Sequence, residues 1–128
     1  MKKTILFLFG FSFAFAQQSA NITVSWNSNV DYNIGEVSIK VPQFDPAFYS
    51  IDIPLKAIQF RTLVPVSSLT NASSLVVSNV IYETIAESAL YDLNKALLPS
   101  KVMSSLEIVR ARDDYKGLLT LSPIIREG

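Results

Sequence analysis

The segment VDYNIGEVSIKV (residues 30–41) contains two short runs in which apolar and polar residues alternate. Alternation with a period of two is typical of a β-strand that buries one face and exposes the other. Gly35 separates the two runs, and a glycine at such a point indicates a bulge or a tight turn. Pro42 ends the second run because proline has no N–H to donate to a neighbouring strand.

The same alternation appears on both sides of this segment. Turn-forming residues separate the runs, notably at 27–29 and 112–114, and apolar positions at 124–125 extend the last run past Pro123. The sequence therefore predicts a mostly β fold, an antiparallel β-sandwich-like domain. The further alternating runs are residues 22–27, 57–66, 106–110 and 115–121.

Residues 75–85 form the most strongly apolar of the candidate strands. Apolar residues occupy both of its faces, which is typical of a strand that is covered on both sides. We therefore expect this strand at the centre of the sheet packing, with Trp26 in the same core.

Two stretches do not alternate. Residues 42–54 contain three prolines among aromatic residues, which argues against a central strand or a long helix. An irregular segment whose aromatic side chains pack onto a sheet is favoured over a ligand-binding aromatic loop, since large apolar side chains are usually buried. Residues 86–98 place apolar residues at helical spacings before Pro99, which predicts a short helix. An extended crossover between sheets is the alternative.

The N-terminus has the three parts of a secretory signal peptide. Lys2 and Lys3 precede an apolar run at residues 5–15, and small residues then flank a cleavage site between Ala16 and Gln17. The run is about half the roughly 20 residues that a membrane-spanning helix needs, so an uncleaved anchor is less favoured. The sequence therefore predicts a signal peptide at 1–16 and an exported β-rich domain at 17–128.

Composition limits the chemistry that the chain can perform. Its 128 residues suffice for one domain, and its 11 basic and 11 acidic residues leave no basic excess for a nucleic-acid partner. It has no cysteine and no histidine, which excludes Cys-His and Ser-His-Asp catalysis and a histidine-ligated metal site within the chain. We therefore predict no catalytic, cofactor-binding or metal-binding residues, and no cofactor.

Charged residues cluster near the C-terminus and are candidates for a site. Asp113 and Asp114 with Glu107 do not converge, because neighbouring residues of a strand point to opposite faces. A solvated turn is the favoured interpretation. Arg110 and Arg112 lie on one face of a strand and are candidates to hold an anion, although a cross-strand pair with an acid is favoured.

Two further residue patterns give only weak indications of a binding or modification site. Asp31, Asp45 and Asp52 lack the spacing of a calcium-binding loop. The triplets that begin at Asn21 and Asn71 match the acceptor pattern for N-glycosylation, which matters only in a host that glycosylates such sites.

Three stretches resemble a known family. They are VDYNIGEVSIKVPQFD (residues 30–45), SNVIYETI (78–85) and LLTLSPIIREG (118–128). Together with a leader that is similar to Bacteroidetes export signals, they resemble the N-terminal region of the PorU family of flavobacterial type IX secretion sortases. That family is similar to the gingipain cysteine peptidases.

The resemblance implies an exported protein of the periplasm or cell surface. The family removes C-terminal targeting domains from secreted cargo and joins the new end to a lipopolysaccharide. Its catalytic cysteine and histidine lie in a later domain, so a peptidase domain is expected after Gly128. The partners would be that domain, cargo proteins and type IX secretion components.

The strand-like end of the sequence agrees with a chain that continues, and this domain would then pack against the peptidase domain. A free-standing exported β-sandwich module for binding or adhesion is the alternative. A stop codon directly after Gly128 would favour the module.

Overall fold

A computed structural model describes residues 4–15, 18–27, 29–67 and 70–127. Within these ranges the chain forms ten strands and three short 3-10 turns. The strands are β1 (Thr4–Phe15), β2 (Gln18–Thr23), β3 (Val30–Ile34), β4 (Val37–Val41), β5 (Tyr49–Asp52), β6 (Ala57–Pro65), β7 (Val76–Ile85), β8 (Ser104–Ala111), β9 (Asp114–Leu121) and β10 (Ile124–Glu127), and the 3-10 turns are Ala72–Ser74, Glu87–Leu90 and Lys95–Leu97.

The strands form two four-stranded sheets and a separate hairpin, and every pairing between strands is antiparallel. In the first sheet β1 is central, with β7 along one side and with β2 and β10 along the other. The second sheet has the order β5-β6-β9-β8, and β3 pairs with β4 as the hairpin. The predicted mostly β, antiparallel, sandwich-like architecture is confirmed.

Both predicted tight turns join adjacent strands. Gly35 and Glu36 connect β3 to β4, and Gly35 has a φ of 59°, a left-handed conformation that glycine adopts without a steric penalty. Arg112 and Asp113 connect β8 to β9, and Arg112 has a φ of 58°. Each two-residue turn sets the register of its hairpin, with the pair Ile34–Val37 closing the first turn and Ala111–Asp114 closing the second.

The core lies between the two sheets and is rich in aromatic side chains. Phe11 of β1 meets Phe60 of β6 edge to face, with the ring centroids 5.4 Å apart. Phe44 stacks on Phe60 at 5.9 Å and meets Trp26 edge to face at 5.0 Å. The prediction that the aromatics of residues 42–54 pack onto a sheet is therefore confirmed, although the segment also contains the short edge strand β5.

The predicted strand at 75–85 exists as β7, but its expected place at the centre is wrong. Val76 and Ile81 are 57% and 59% exposed, and within the described residues β7 pairs only with β1. The central position belongs to β1, whose apolar residues Phe7, Leu8 and Phe11 are buried. The reason is that the apolar run of β1 has more apolar side chains to bury than β7 has.

The predicted short helix at residues 86–98 is also wrong. The segment forms two 3-10 turns and no α-helix. Leu90 of the first turn and Leu93 between the two turns are buried in the core. The backbone of the segment makes short-range bonds such as Leu93 N–H to the Leu90 carbonyl at 3.1 Å, and it also bonds to other elements, since the Asp92 N–H donates to the Lys40 carbonyl at 2.9 Å. The segment crosses from β7 in the first sheet to β8 in the second, as the alternative expected, but it does so through 3-10 turns and not in an extended conformation. No helix in the described ranges has the length and apolarity to cross a membrane.

Residues 124–125 were expected to extend the run of β9, and this is wrong as well. The chain turns at Pro123 and leaves the second sheet, so that β10 pairs with β1 in the first. The Pro123 carbonyl accepts a hydrogen bond from the Leu8 N–H at 2.7 Å. The last two strands thus connect the two sheets.

The predicted leader contributes β1 to the fold. Phe7, Leu8, Phe11 and Phe13 of its apolar run lie in the core, whereas the cleavage residues Ala16 and Gln17 lie outside the described residues. Cleavage at that point therefore stays a prediction.

Candidate functional site

An apolar groove opens between the tip of the β3–β4 hairpin and the turn that joins β5 to β6. We call it the hairpin groove. Its volume is about 950 Å³. Its apolar lining includes Ile34, Val37, Ile39, Ile51, Ile53 and Leu55.

One wall of the groove is the tip of the hairpin. Ile34 and Val37 are the cross-strand pair that closes the turn, and they are 53% and 57% exposed. Further along β4, Ile39 and Val41 are buried. The apolar face of the hairpin therefore passes from the core to solvent, and the tip presents two large aliphatic side chains that the domain itself does not cover.

The opposite wall is the turn between β5 and β6. The Asp52 carboxylate accepts a hydrogen bond from the Leu55 N–H at 3.0 Å, and the Lys56 N–H donates to the Ile53 carbonyl at 3.1 Å. These bonds hold a tight turn in which Lys56 has a φ of 53°. The turn presents Leu55 at its tip, where the side chain is 55% exposed.

The crossover segment between β7 and β8 forms hydrogen bonds with both walls of the groove. The Asp92 carboxylate accepts from the Lys40 N–H of β4 at 2.6 Å, and the Asp92 N–H donates back to the Lys40 carbonyl at 2.9 Å. Two residues later, the Asn94 N–H donates to the Lys56 carbonyl at 2.9 Å. The distance between the walls of the hairpin groove is thus set by the crossover between β7 and β8.

Charged groups line the rim of the groove. Lys56 and Arg61 contribute two cations, and Asp52 contributes a carboxylate that is already engaged in the turn. An apolar centre with a polar rim is the usual composition of a protein-protein contact surface. The rim therefore suits a partner surface with some acidic character.

Tyr49, beside the groove on β5, has a perturbed hydroxyl. Burial raises the pKa of Tyr49 well above its ordinary value, and the neighbouring Tyr32 adds to the shift. The Tyr49 hydroxyl donates to the Pro42 carbonyl at 3.0 Å. At neutral pH this phenol is a neutral structural donor that fixes the loop after β4.

The charged cluster near the C-terminus does not form a site. Asp113 and Asp114 are exposed at the β8–β9 turn, in line with the solvated-turn interpretation. The expectation that Arg110 pairs with an acidic residue across the strands is wrong. The Arg110 guanidinium lies over the ring of its cross-strand neighbour Tyr115, 5.7 Å from the centroid, and its Nε donates to the Arg112 carbonyl at 3.1 Å.

Asp45, Asp52 and Asn71 have local structural partners. Asp45 accepts from the Ala47 N–H at 2.9 Å, as Asp52 does in its own turn. Asn71 caps the first 3-10 turn by accepting from the Ser73 N–H at 2.9 Å. Among residues 4–15, 18–27, 29–67 and 70–127, no three acidic side chains come together in a way that suits a metal ion.

The hairpin groove was not among the features predicted from the sequence. One indication is present in the sequence, because the aliphatic residues Ile34 and Val37 directly flank the Gly35–Glu36 turn. Hairpin tips usually face solvent, so large aliphatic side chains at that point indicate an exposed apolar surface. Comparisons with protein-family models, with curated proteins and with solved structures give no match for this chain. Evidence on function therefore comes from three features of the chain: the hairpin groove, the lack of cysteine and histidine, and the family resemblance of residues 30–45, 78–85 and 118–128.

Proposed function

We propose that residues 17–128 form a non-catalytic docking domain of a longer exported enzyme, a gingipain-like cysteine endopeptidase of the type IX sortase family. The stretches at 30–45, 78–85 and 118–128 support this placement by their resemblance to the N-terminal region of that family. The chain has neither cysteine nor histidine. The thiol nucleophile and its base must therefore come from a peptidase domain that follows Gly128.

The exposed apolar side chains of the hairpin groove carry the proposal. Ile34, Val37 and Leu55 each expose about half of their surface on neighbouring turns. Full burial of such a side chain contributes about 1.5–3 kcal/mol, so covering the exposed half contributes roughly 1 kcal/mol for each. A contiguous apolar surface with a polar rim favours contact with another protein surface.

Covalent attachment makes such a modest surface sufficient. Two domains on one chain meet at an effective concentration in the millimolar range, so a contact with a dissociation constant of about 1 mM is already substantially occupied. The docking domain would hold the peptidase domain in a fixed orientation. The peptidase would then present its cleft to the C-terminal targeting domain of the secreted cargo.

The test is a charge placed in the groove of the longer protein. In the Val37→Asp variant, docking would bury an unpaired carboxylate, which costs several kcal/mol. We expect cargo processing to fall by about tenfold or more, and the connection between the two domains to become sensitive to limited proteolysis. Val109→Asp is the matched control, because Val109 is an exposed valine on β8 (42%), outside the groove.

Equal cargo processing and equal protease resistance in the two variants would contradict the docking role. The reading frame after Gly128 separates the proposal from its alternative. A frame that stops there leaves a free-standing binding or adhesion module, for which the hairpin groove would be the contact surface for a separate protein.

A further inference from the structure

The central strand of the first sheet is the segment predicted to be removed on export. β1 pairs along residues 5–14 with β7, and on its other side residues 4–7 pair with β10 and residues 10–15 with β2. Among the described strands, β2, β7 and β10 pair with no strand other than β1. Each of them would lose its hydrogen-bonded neighbour on cleavage after Ala16.

β1 also fills a defined part of the core. Phe7 stacks on Trp26 with the ring centroids 4.0 Å apart, and the Trp26 indole N–H donates to the Leu8 carbonyl at 2.8 Å. Phe11 covers Phe60. The backbone approaches closely at Gly10, where an added Cβ would lie 3.3 Å from the Ile22 carbonyl oxygen.

Removal of β1 alone would leave a gap with two strand edges. Neighbouring strands in a sheet lie about 4.8 Å apart, so the two sides of the gap would be roughly 10 Å apart, the width for one strand. Unpaired N–H and C=O groups on both sides favour the addition of a strand. We call this gap the β1 slot.

The direction of β10 identifies the occupant. β10 runs antiparallel to β1 from the pair Ile124–Phe7 to the pair Glu127–Thr4. A chain that continues after Glu127 and reverses through a tight hairpin turn enters the slot at the position of Thr4 and runs in the direction of β1. Strands that are consecutive along a chain are usually neighbours in the sheet, so this connection is the shortest available.

We propose that in the mature protein the β1 slot is occupied by the strand that follows β10, which replaces the cleaved leader at the centre of the first sheet. The proposal rests on the longer protein inferred above and on cleavage after Ala16. The occupant is an extended segment of about ten residues. It carries large apolar side chains in place of Phe7, Leu8 and Phe11, and a small residue in place of Gly10.

A second copy of the mature chain is a poorer occupant. It would have to supply an apolar strand from one of its own sheets, and the apolar strands β6 and β9 are already paired inside the second sheet. A strand that follows β10 breaks no existing pairing.

Photo-crosslinking from β7 tests the proposal in the longer protein. Ser78 and Thr84 are exposed residues that lie opposite Ser12 and Leu6 of β1. A photoreactive phenylalanine analogue at either position contacts the occupant of the slot, because directly opposite side chains share one face. Two positions are used so that one poorly folded variant does not decide the result, and position 109 on β8 is the control.

The expected result differs between the 128-residue chain with its leader and the mature form of the longer protein. In the 128-residue chain, both positions should crosslink to β1. In the exported protein, both should crosslink to residues C-terminal to Glu127 of the same polypeptide, and position 109 should not.

Crosslinks to a second copy, to another protein or to a retained leader would overturn the proposal, and so would crosslinking no stronger than that at position 109. Those outcomes leave the docking function standing. An exported polypeptide whose intact mass ends at Gly128 would instead overturn the proposed function and the slot occupant together.

Discussion

The Tyr49 hydroxyl couples the stability of the fold to alkaline pH. Burial raises the pKa of Tyr49 above its ordinary value of 10.0, and Tyr32 adds to the shift. The unfolded chain therefore loses this proton first as the pH rises. The stabilisation that the neutral phenol contributes is complete below the unfolded pKa and is lost as the pH rises through the folded one.

We expect the free energy of unfolding to decline above about pH 10 in the wild-type chain, and to decline less steeply in Tyr49→Phe, which has no proton to lose. Denaturant titrations at a series of pH values measure both slopes. At pH 7 the variant should be less stable by about 1 kcal/mol, because the Pro42 carbonyl loses its donor. Parallel alkaline slopes in the two proteins would contradict the role given to this hydroxyl.

At the scale of elements, the crossover between β7 and β8 sets the shape of the hairpin groove. Asp92 exchanges two hydrogen bonds with Lys40 of β4, while Asn94 holds the β5–β6 turn. Neither contact is visible as a sequence pattern, since the residues are about fifty and about forty positions apart along the chain. The hairpin is thereby fixed at its base while its tip stays open.

Asp92→Ala should loosen the hairpin, because the Lys40 N–H loses its acceptor. A hydrogen bond at such an exposed position contributes about 1 kcal/mol, so the thermal midpoint should fall by a few degrees. Limited proteolysis should then cut faster within the β3–β4 turn. Asp31→Ala, an exposed aspartate on β3 of the same hairpin, is the matched control. Faster cutting in both variants would show that the loss of a negative charge, and not the loss of the hydrogen bond between Asp92 and Lys40, causes the effect.

At the scale of the whole molecule, β1 joins the two sheets through its apolar side chains. Phe7, Leu8, Phe11 and Phe13 are buried, and burial of each contributes about 1.5–3 kcal/mol. That sum is comparable to the whole stability of a small domain, about 5–15 kcal/mol. The unprocessed chain therefore depends on a segment that is also predicted to be its export signal.

A cut in the folded chain measures this dependence. A protease site engineered at residues 16–17 of the full 128-residue chain allows β1 to be severed after folding. The thermal midpoint of the cut protein should fall and should depend on protein concentration, because the strand is then held only by mass action. The fluorescence of Trp26, the single tryptophan, should shift to the red on dilution as Phe7 leaves its ring. A cut protein with an unchanged, concentration-independent midpoint would show that β1 contributes little.

Local patterns predicted much of the secondary structure and little of the candidate site. The burial of Val24 between exposed Thr23 and Ser25 follows the predicted alternation. The same alternation predicts that Ile34 and Val37 are buried, yet both are exposed at the hairpin tip. Alternation states which residues share a face of a strand, but whether that face is covered depends on elements far away in sequence.

The sequence by itself determined the β class, the tight turns at Gly35 and at Arg112–Asp113, and the absence of any thiol or imidazole. These are properties of single residues and their near neighbours. Only the tertiary structure decided that β1 and not β7 is central, that β10 leaves the second sheet, and that residues 86–98 cross over without an α-helix. The first two outcomes depend on competition among strands for the same partners, and all three are settled by long-range packing.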